Sequence, residues 1–192
     1  MLDNPYVSNA SVYMISALSD LFLIVVLLRF LLQLARADFY NPLCQFIVKV
    51  TNPFLRPLRR VIPGWKGLDV ASIVLLLAVQ VLAMWLVSLA LGRSVAFGGL
   101  VVMSVAELLS LTLNLYLVTI LIQVILSWIG PGGAHPFTSL LYSLNEPVMR
   151  PARRLLPPIS GIDLSPIVVL FAFQLLKILV VAPIFDLGRG LG

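Results

Sequence analysis

The sequence predicts an all-α integral membrane protein of four transmembrane helices, arranged as two parallel two-span repeats. Each repeat carries a broken amphipathic helix at the membrane surface between its spans. Three observations predict this. Of 192 residues, 60% are hydrophobic and 11% charged, with a mean hydropathy of +1.07, a balance outside that of soluble domains. Four apolar runs are long enough to cross a hydrocarbon core of about 30 Å. Finally, Pro53-Phe54-Leu55-Arg56-Pro57-Leu58-Arg59-Arg60-Val61-Ile62-Pro63, leading through Gly67 and Asp69, is answered 94 residues later by Pro147-Val148-Met149-Arg150-Pro151-Ala152-Arg153-Arg154-Leu155-Leu156-Pro157, leading through Gly161 and Asp163. The offset holds without a gap from Pro42/Pro136 to Gln80/Gln174, so the chain reads as a duplication, residues 1–94 and 95–192.

In chain order, Met1 to Ser11 lacks the basic start and cleavage site of a signal peptide, and the N-terminus is expected to be retained. Span one is expected at about residues 12–35. It holds Arg29 near one end, where its stem can snorkel to headgroups, and Asp20, which cannot snorkel far. Residues 42–62 follow as the first interfacial helix. Leu43, Phe46, Ile47 and Val50 share one face opposite Gln45 and Lys49, and after Asn52-Pro53 the pattern resumes in a new phase. The second interfacial helix, residues 136–156, repeats this with Phe137, Leu140, Leu141 and Leu144. Pro53, Pro57, Pro147 and Pro151 each remove a backbone donor, which only an end, a kink or a wet interface tolerates.

Asp69 and Asp163 stand just before spans two and four, where each is expected to cap the new helix by accepting an early amide. The remaining spans are expected at about 70–91, 106–129 and 164–183, with a glycine-containing link from Gly92 to Val105. Corresponding spans of the two copies run in the same sense, as in a parallel repeat.

Nine of the thirteen Lys and Arg residues fall in the loops holding the interfacial helices. The positive-inside rule places those loops in the cytoplasm and both termini outside. Basic residues clustered beside spans read as topology and headgroup contact rather than nucleic-acid binding. Each is worth about 1 kcal/mol near an anionic leaflet, so one arginine triplet supplies about 3 kcal/mol before ordering costs. Arg56, Arg59, Arg60, Arg150, Arg153 and Arg154 either only enforce orientation or dock anionic phospholipid headgroups or a partner, another membrane protein or a second copy of the chain.

Polar groups at membrane depth form a second candidate set: Asp20, Gln80, Glu107, Asn114, Gln174 and Lys177. Asp20 and Asn114 are equivalent under the repeat, as are Gln80 and Gln174. An Asp20–Lys177 pair would offset the cost of charge in the bilayer. Alternatively Lys177 snorkels, Asp20 is neutral and the glutamines bond across helices. Catalytic constellations are missing from the sequence. His135 is the one histidine and Cys44 the one cysteine, which leaves no zinc-like spacing and no intrachain disulfide. Gly130-Pro131-Gly132-Gly133 lacks the lysine of a phosphate loop and reads as a helix stop. No cofactor, metal or enzyme activity is expected.

The doubled Pro-x-x-Arg-Pro-x-Arg-Arg, followed by Pro, Gly and Asp before an apolar span, resembles the YggT family of bacterial membrane proteins, including the similar YlmG proteins. The second copy carries it as Gly161-Ile162-Asp163-Leu164-Ser165-Pro166, whereas the first has Ala71-Ser72 in place of Ser-Pro. The resemblance implies a four-span inner-membrane protein. It links the chain to osmotic or envelope stress tolerance, to division genes, and through plastid relatives to cytochrome b6f assembly and nucleoid distribution. No reaction comes with it. Two functions follow as expectations: a non-catalytic membrane organiser or assembly factor working through the arginine patches, or a small oligomeric channel or ion-transport component working through the intramembrane polar set.

Overall fold

A computed structural model describes residues 5–65, 67–129, 135–156 and 163–191. Lys66, Pro157, Gly161 and the helix stop expected at Gly130-Pro131-Gly132-Gly133 lie outside them. Helix α1 (Pro5–Leu34) leads to α2 (Pro42–Val61), α3 (Val70–Ala90), α4 (Phe97–Ile129), α5 (Pro136–Leu155) and α6 (Ser165–Leu176); a π turn (Lys177–Val181) then joins α6 to α7 (Ala182–Gly190). Four helical stretches are long and apolar enough to cross a membrane: Tyr6–Leu34, Val70–Ala90, Phe97–Ile129 and Ser165–Gly190. Between a sixth and a third of each apolar window is buried inside the protein, so each presents a wide apolar surface that only lipid or another protein can cover.

Each copy is an antiparallel hairpin of two spans closed by its short basic helix. α1 packs along α3 and α4 along α7, and α3 against α4 joins the copies. α2 lies against α1 and α3, α5 against α4 and α6, and the two short helices touch. Both therefore sit on one side, here the basic side; the start of α1 and the end of α7 lie on the other, the terminal side.

The ends of the helices follow from local chemistry. Asn41 caps α2 by accepting the Leu43 amide at 3.0 Å, and His135, its equivalent 94 residues on, caps α5 by accepting the Phe137 amide through Nδ1 at 3.3 Å. Each is followed by a proline in the first turn, where no amide is missed. Asn41 also donates to the Pro136 carbonyl at 2.7 Å, which ties the two starts together. α1 closes when Arg36 takes a left-handed φ of 52° and Ala37 bonds back to Leu32 at 2.9 Å. Gly92, with φ of 63°, closes α3 in the same manner as Arg93 bonds back to Ser88. The α2–α3 turn is a reciprocal Trp65–Leu68 backbone pair, and Gly67 at φ 85° supplies the left-handed residue it needs.

Several elements differ from the sequence-based expectation, the first being α1, which begins at Pro5 rather than near residue 12. The short helices are continuous through their prolines, not broken at Asn52-Pro53 and Glu146-Pro147. Pro53, Pro57, Pro147 and Pro151 all lie on the exposed face, so the carbonyls left without donors point outward, where water or headgroups can satisfy them. Helix α4 begins at Phe97, absorbing most of the expected link, and its 33 residues make about 50 Å of helix, more than the hydrocarbon needs. The fourth span continues past Pro183 to Gly190: the π turn, in which the Ala182 amide reaches the Lys177 carbonyl, widens the helix just before the proline.

Candidate functional site

On the basic side, the two arginine triplets divide by role. Arg59 reaches across the α2–α3 turn to Asp69, with Nε 3.3 Å from Oδ1 and a second, shorter contact to Oδ2 that makes the pair bidentate. Asp69 is buried and also accepts the Ser72 hydroxyl. Burial would raise the Asp69 pKa, but the hydrogen bonds from Arg59 and Ser72 and the guanidinium charge outweigh it and hold the carboxyl below its usual range. Asp69 stands at the start of α3, where the Ser72 amide also helps to lower its pKa although the contact is looser than a full cap hydrogen bond. What the sequence reading lacked is the clamp that Arg59 adds to this aspartate across the turn.

The second copy places the same clamp 94 residues on. Arg153 donates to Asp163 at 3.0 Å and to Glu146 at 3.0 Å. Asp163 accepts both the Ser165 amide at 2.9 Å and the Ser165 hydroxyl, so here the carboxylate does bond the backbone entering its helix. Desolvation again pushes its pKa up and is outweighed, by the Ser165 bonds and by Arg153. The two copies thus use a serine at different positions, Ser72 and Ser165, to hold equivalent aspartates.

With Arg59 and Arg153 spent internally, Arg56, Arg60, Arg150 and Arg154 remain exposed and form no ion pair among the described residues. They follow the prolines on the outward faces of α2 and α5.

What holds these helices down escaped the sequence reading. Arg29 does not snorkel. It is 5% exposed and donates to the Val48 carbonyl at 3.2 Å, to Asn52 Oδ1 at 2.9 Å and to Thr51 Oγ1. It pins α2 just before Pro53. Ninety-four residues on, Gln123 and Asn145 occupy the places of Arg29 and Thr51. Asn145 donates to Gln123 at 2.7 Å and accepts from Thr119 at 2.8 Å, all three buried. One copy uses a charged pin and the other a neutral one. The signal was available in the repeat alignment, which sets Arg29 opposite Gln123 and Thr51 opposite Asn145.

On the terminal side, a cavity of about 590 Å³ opens between α1, α3, α4 and α7. Three of the six expected intramembrane polar residues line it: Asp20, Gln80 and Glu107. The Asp20–Lys177 pair does not form. Lys177 instead donates to Asn114, the repeat equivalent of Asp20, and Gln174 is exposed on α6. A small-residue crossing near the cavity was also missed: a Cβ added to Gly188 would stand 2.6 Å from Met103 and 3.1 Å from the Gly99 carbonyl, so α7 touches α4 backbone to backbone. Below the cavity the spans are closed by Leu23, Val26, Leu27, Leu75 and Leu76, all buried. Cys44 is buried at 1% exposure, and desolvation followed by the nearby Asp38 charge pushes its thiol pKa up.

Comparison with known proteins gives the same duplicated frame. A family model described as CCB3/YggT matches residues 8–90 and again 102–184, two segments whose starts and ends both differ by 94. An uncharacterized protein of Pseudomonas aeruginosa is 45% identical over 178 residues, 91% of this chain and 89% of its own. A protein of Vibrio alginolyticus, described as uncharacterized and in the proC 3′ region, is 38% identical over 92% of this chain and 98% of its own. The uncharacterized protein YggT of Escherichia coli K12 is 35% identical over 88% of both. No solved structure matches the chain.

Proposed function

The chain belongs to the CCB3/YggT family, and from that premise we propose that it is a non-catalytic organiser or assembly factor of the bacterial inner membrane, gathering anionic phospholipid, and through it a membrane partner, on its basic side. In this reading α2 and α5 lie in the cytoplasmic interface and both termini face outward. The setting is envelope or osmotic stress, or division.

The observation that carries the reading is the split within each triplet. Arg59 and Arg153 are consumed in fixing the turns, and Arg29 and the Gln123–Asn145 pair fix the helices to the spans. Four further arginines are thereby held on this frame with no ion-pair partner among the described residues. At about 1 kcal/mol each beside an anionic leaflet they supply about 4 kcal/mol, and preorganisation lowers the ordering cost of using it. The transport alternative is weaker, because the apolar layer of Leu23, Val26, Leu27, Leu75 and Leu76 separates the cavity from the basic side.

The test is native mass spectrometry of protein released from bilayers of mixed phosphatidylcholine and phosphatidylglycerol. Neutralising Arg56, Arg60, Arg150 and Arg154 to Gln together should abolish preferential retention of the anionic lipid while leaving the fold intact. Unchanged retention in the quadruple variant, or ion flux through wild-type liposomes above empty controls, would overturn the reading.

A further inference from the structure

The terminal-side cavity is lined by charged groups that enter no ion pair among the described residues. Asp20 from α1 and Glu107 from α4 line its inner part, yet neither enters an ion pair among the described residues. Gln80 of α3 lines the same space. It is 9% exposed, and its amide has no hydrogen-bond partner among the described residues. The Gln80 amide and the exposed Asp20 and Glu107 carboxylates thus open onto one space, and their hydrogen-bonding capacity is left for whatever enters it.

Register places these three groups on one level. The Ser104 hydroxyl of α4 reaches Met84 of α3 at 3.3 Å, and Ser8 of α1 donates to the Ala90 carbonyl of α3 at 2.7 Å. Counting back along the antiparallel helices brings Glu107 and Asp20 to the height of Gln80.

Two more charges line the outer part: Arg93, just past the end of α3, and Arg189, in the last turn of α7. They too form no ion pair among the described residues. The lining is therefore layered, carboxylates and an amide inside, guanidinium groups at the mouth. A bare cation would satisfy the inner layer but meet the arginines on entry. An anion would do the reverse.

We propose that this cavity is a binding site for a zwitterion, whose ammonium end sits among Asp20, Gln80 and Glu107 and whose anionic end faces Arg93 and Arg189. Its volume is in the range of small-molecule sites. The layers are several residues apart along the helices, which suits a ligand with separated charges better than one with both on adjacent atoms. The chemistry is shared by free ω-amino acids and by an ethanolamine phospholipid headgroup. This site is independent of the basic-side arginines, so either proposal can fail alone.

The experiment is calorimetric titration of the protein in nanodiscs of phosphatidylcholine and phosphatidylglycerol, using γ-aminobutyrate and ε-aminocaproate as zwitterions and butylammonium and butyrate as single-charge controls. Saturable binding of a zwitterion is expected, with each control weaker by about tenfold or more, the worth of one charge-assisted hydrogen bond. Glu107→Gln and Arg189→Gln should each weaken the zwitterion by a similar factor. Arg189 lies at the surface, so its variant reads the site even if Glu107→Gln lowers the yield of folded protein. Repeating the titration in discs that contain phosphatidylethanolamine separates the sources: lost binding assigns the site to the lipid headgroup, retained binding to a free solute, and both keep the zwitterion. Butylammonium or butyrate binding as tightly as the zwitterions, binding indifferent to Arg189→Gln, or no saturable heat from folded protein would overturn it.

Discussion

At the scale of single residues, the pairing of Asp69 with Arg59 decides how the first copy responds to acid. Its folded pKa lies below the ordinary Asp value of about 4. The contribution of the clamp is therefore complete above that value and is lost as pH falls through the lower, folded one. Thermal unfolding in detergent should show a midpoint that drops below pH 4 in the wild type and drops less in Asp69→Asn. At neutral pH Asp69→Asn should cost about 2 kcal/mol, because the carboxylate is buried and its guanidinium only partly so. Asp163→Asn should cost less, since Asp163 is 35% exposed against 5% for Asp69. Equal losses from the two substitutions would mean that burial does not separate them. Cys44 gives a second residue-scale outcome. On the buried face of α2 with its thiol pKa raised, it should resist maleimide in the native protein and react only on denaturation. Rapid native labelling would show that α2 lifts from the spans.

Among the elements, the legible features were those written in periodicity, and the illegible ones were those set by a partner. Apolar runs and the alternating faces of residues 42–62 and 136–156 announced the spans and the two short helices because burial repeats along one chain. Whether Arg29 reaches headgroups or Thr51 depends on where α2 lies, and no local pattern states that. The same holds for Lys177, which was matched with Asp20 by depth yet meets Asn114. The length of α4 was misjudged for a different reason: the glycines at 98 and 99 read as a link, although Gly99 is buried where α7 crosses and Gly98 lies exposed within the same helix. Gly188 meets that stretch so closely that an added Cβ has no room, with a backbone amide 2.9 Å away. Gly188→Ala should therefore push α7 from α4 and lower stability by about 1–3 kcal/mol. Gly190→Ala, with open space at its Cβ, should change little. The comparison is read from thermal midpoints of the two variants, and an equal effect would remove the close crossing as the cause.

For the whole molecule, duplication supplied an internal control that evolution has already run. The copies share their spans, their capped short helices and their arginine clamps, but not the pins beneath those helices. Arg29 with Thr51 does in one copy what Gln123, Asn145 and Thr119 do in the other, and the equivalent of Thr119 is Val25. If the copies are two solutions to the same packing problem, the second should be transferable. Arg29→Gln alone should lose about 2 kcal/mol, since it leaves the Val48 carbonyl and Asn52 with one donor fewer in a buried setting. Adding Thr51→Asn and Val25→Thr should rebuild the neutral pin and recover most of that loss. The recovery is a coupling between substitutions and not a sum of their separate effects. A thermal-shift cycle over the single, double and triple variants checks it. If the triple variant is no more stable than Arg29→Gln, the two pins are tied to their own surroundings. The charge of Arg29 would then belong to the first copy for a reason the neutral network cannot supply, such as its closeness to Arg59 and Asp69.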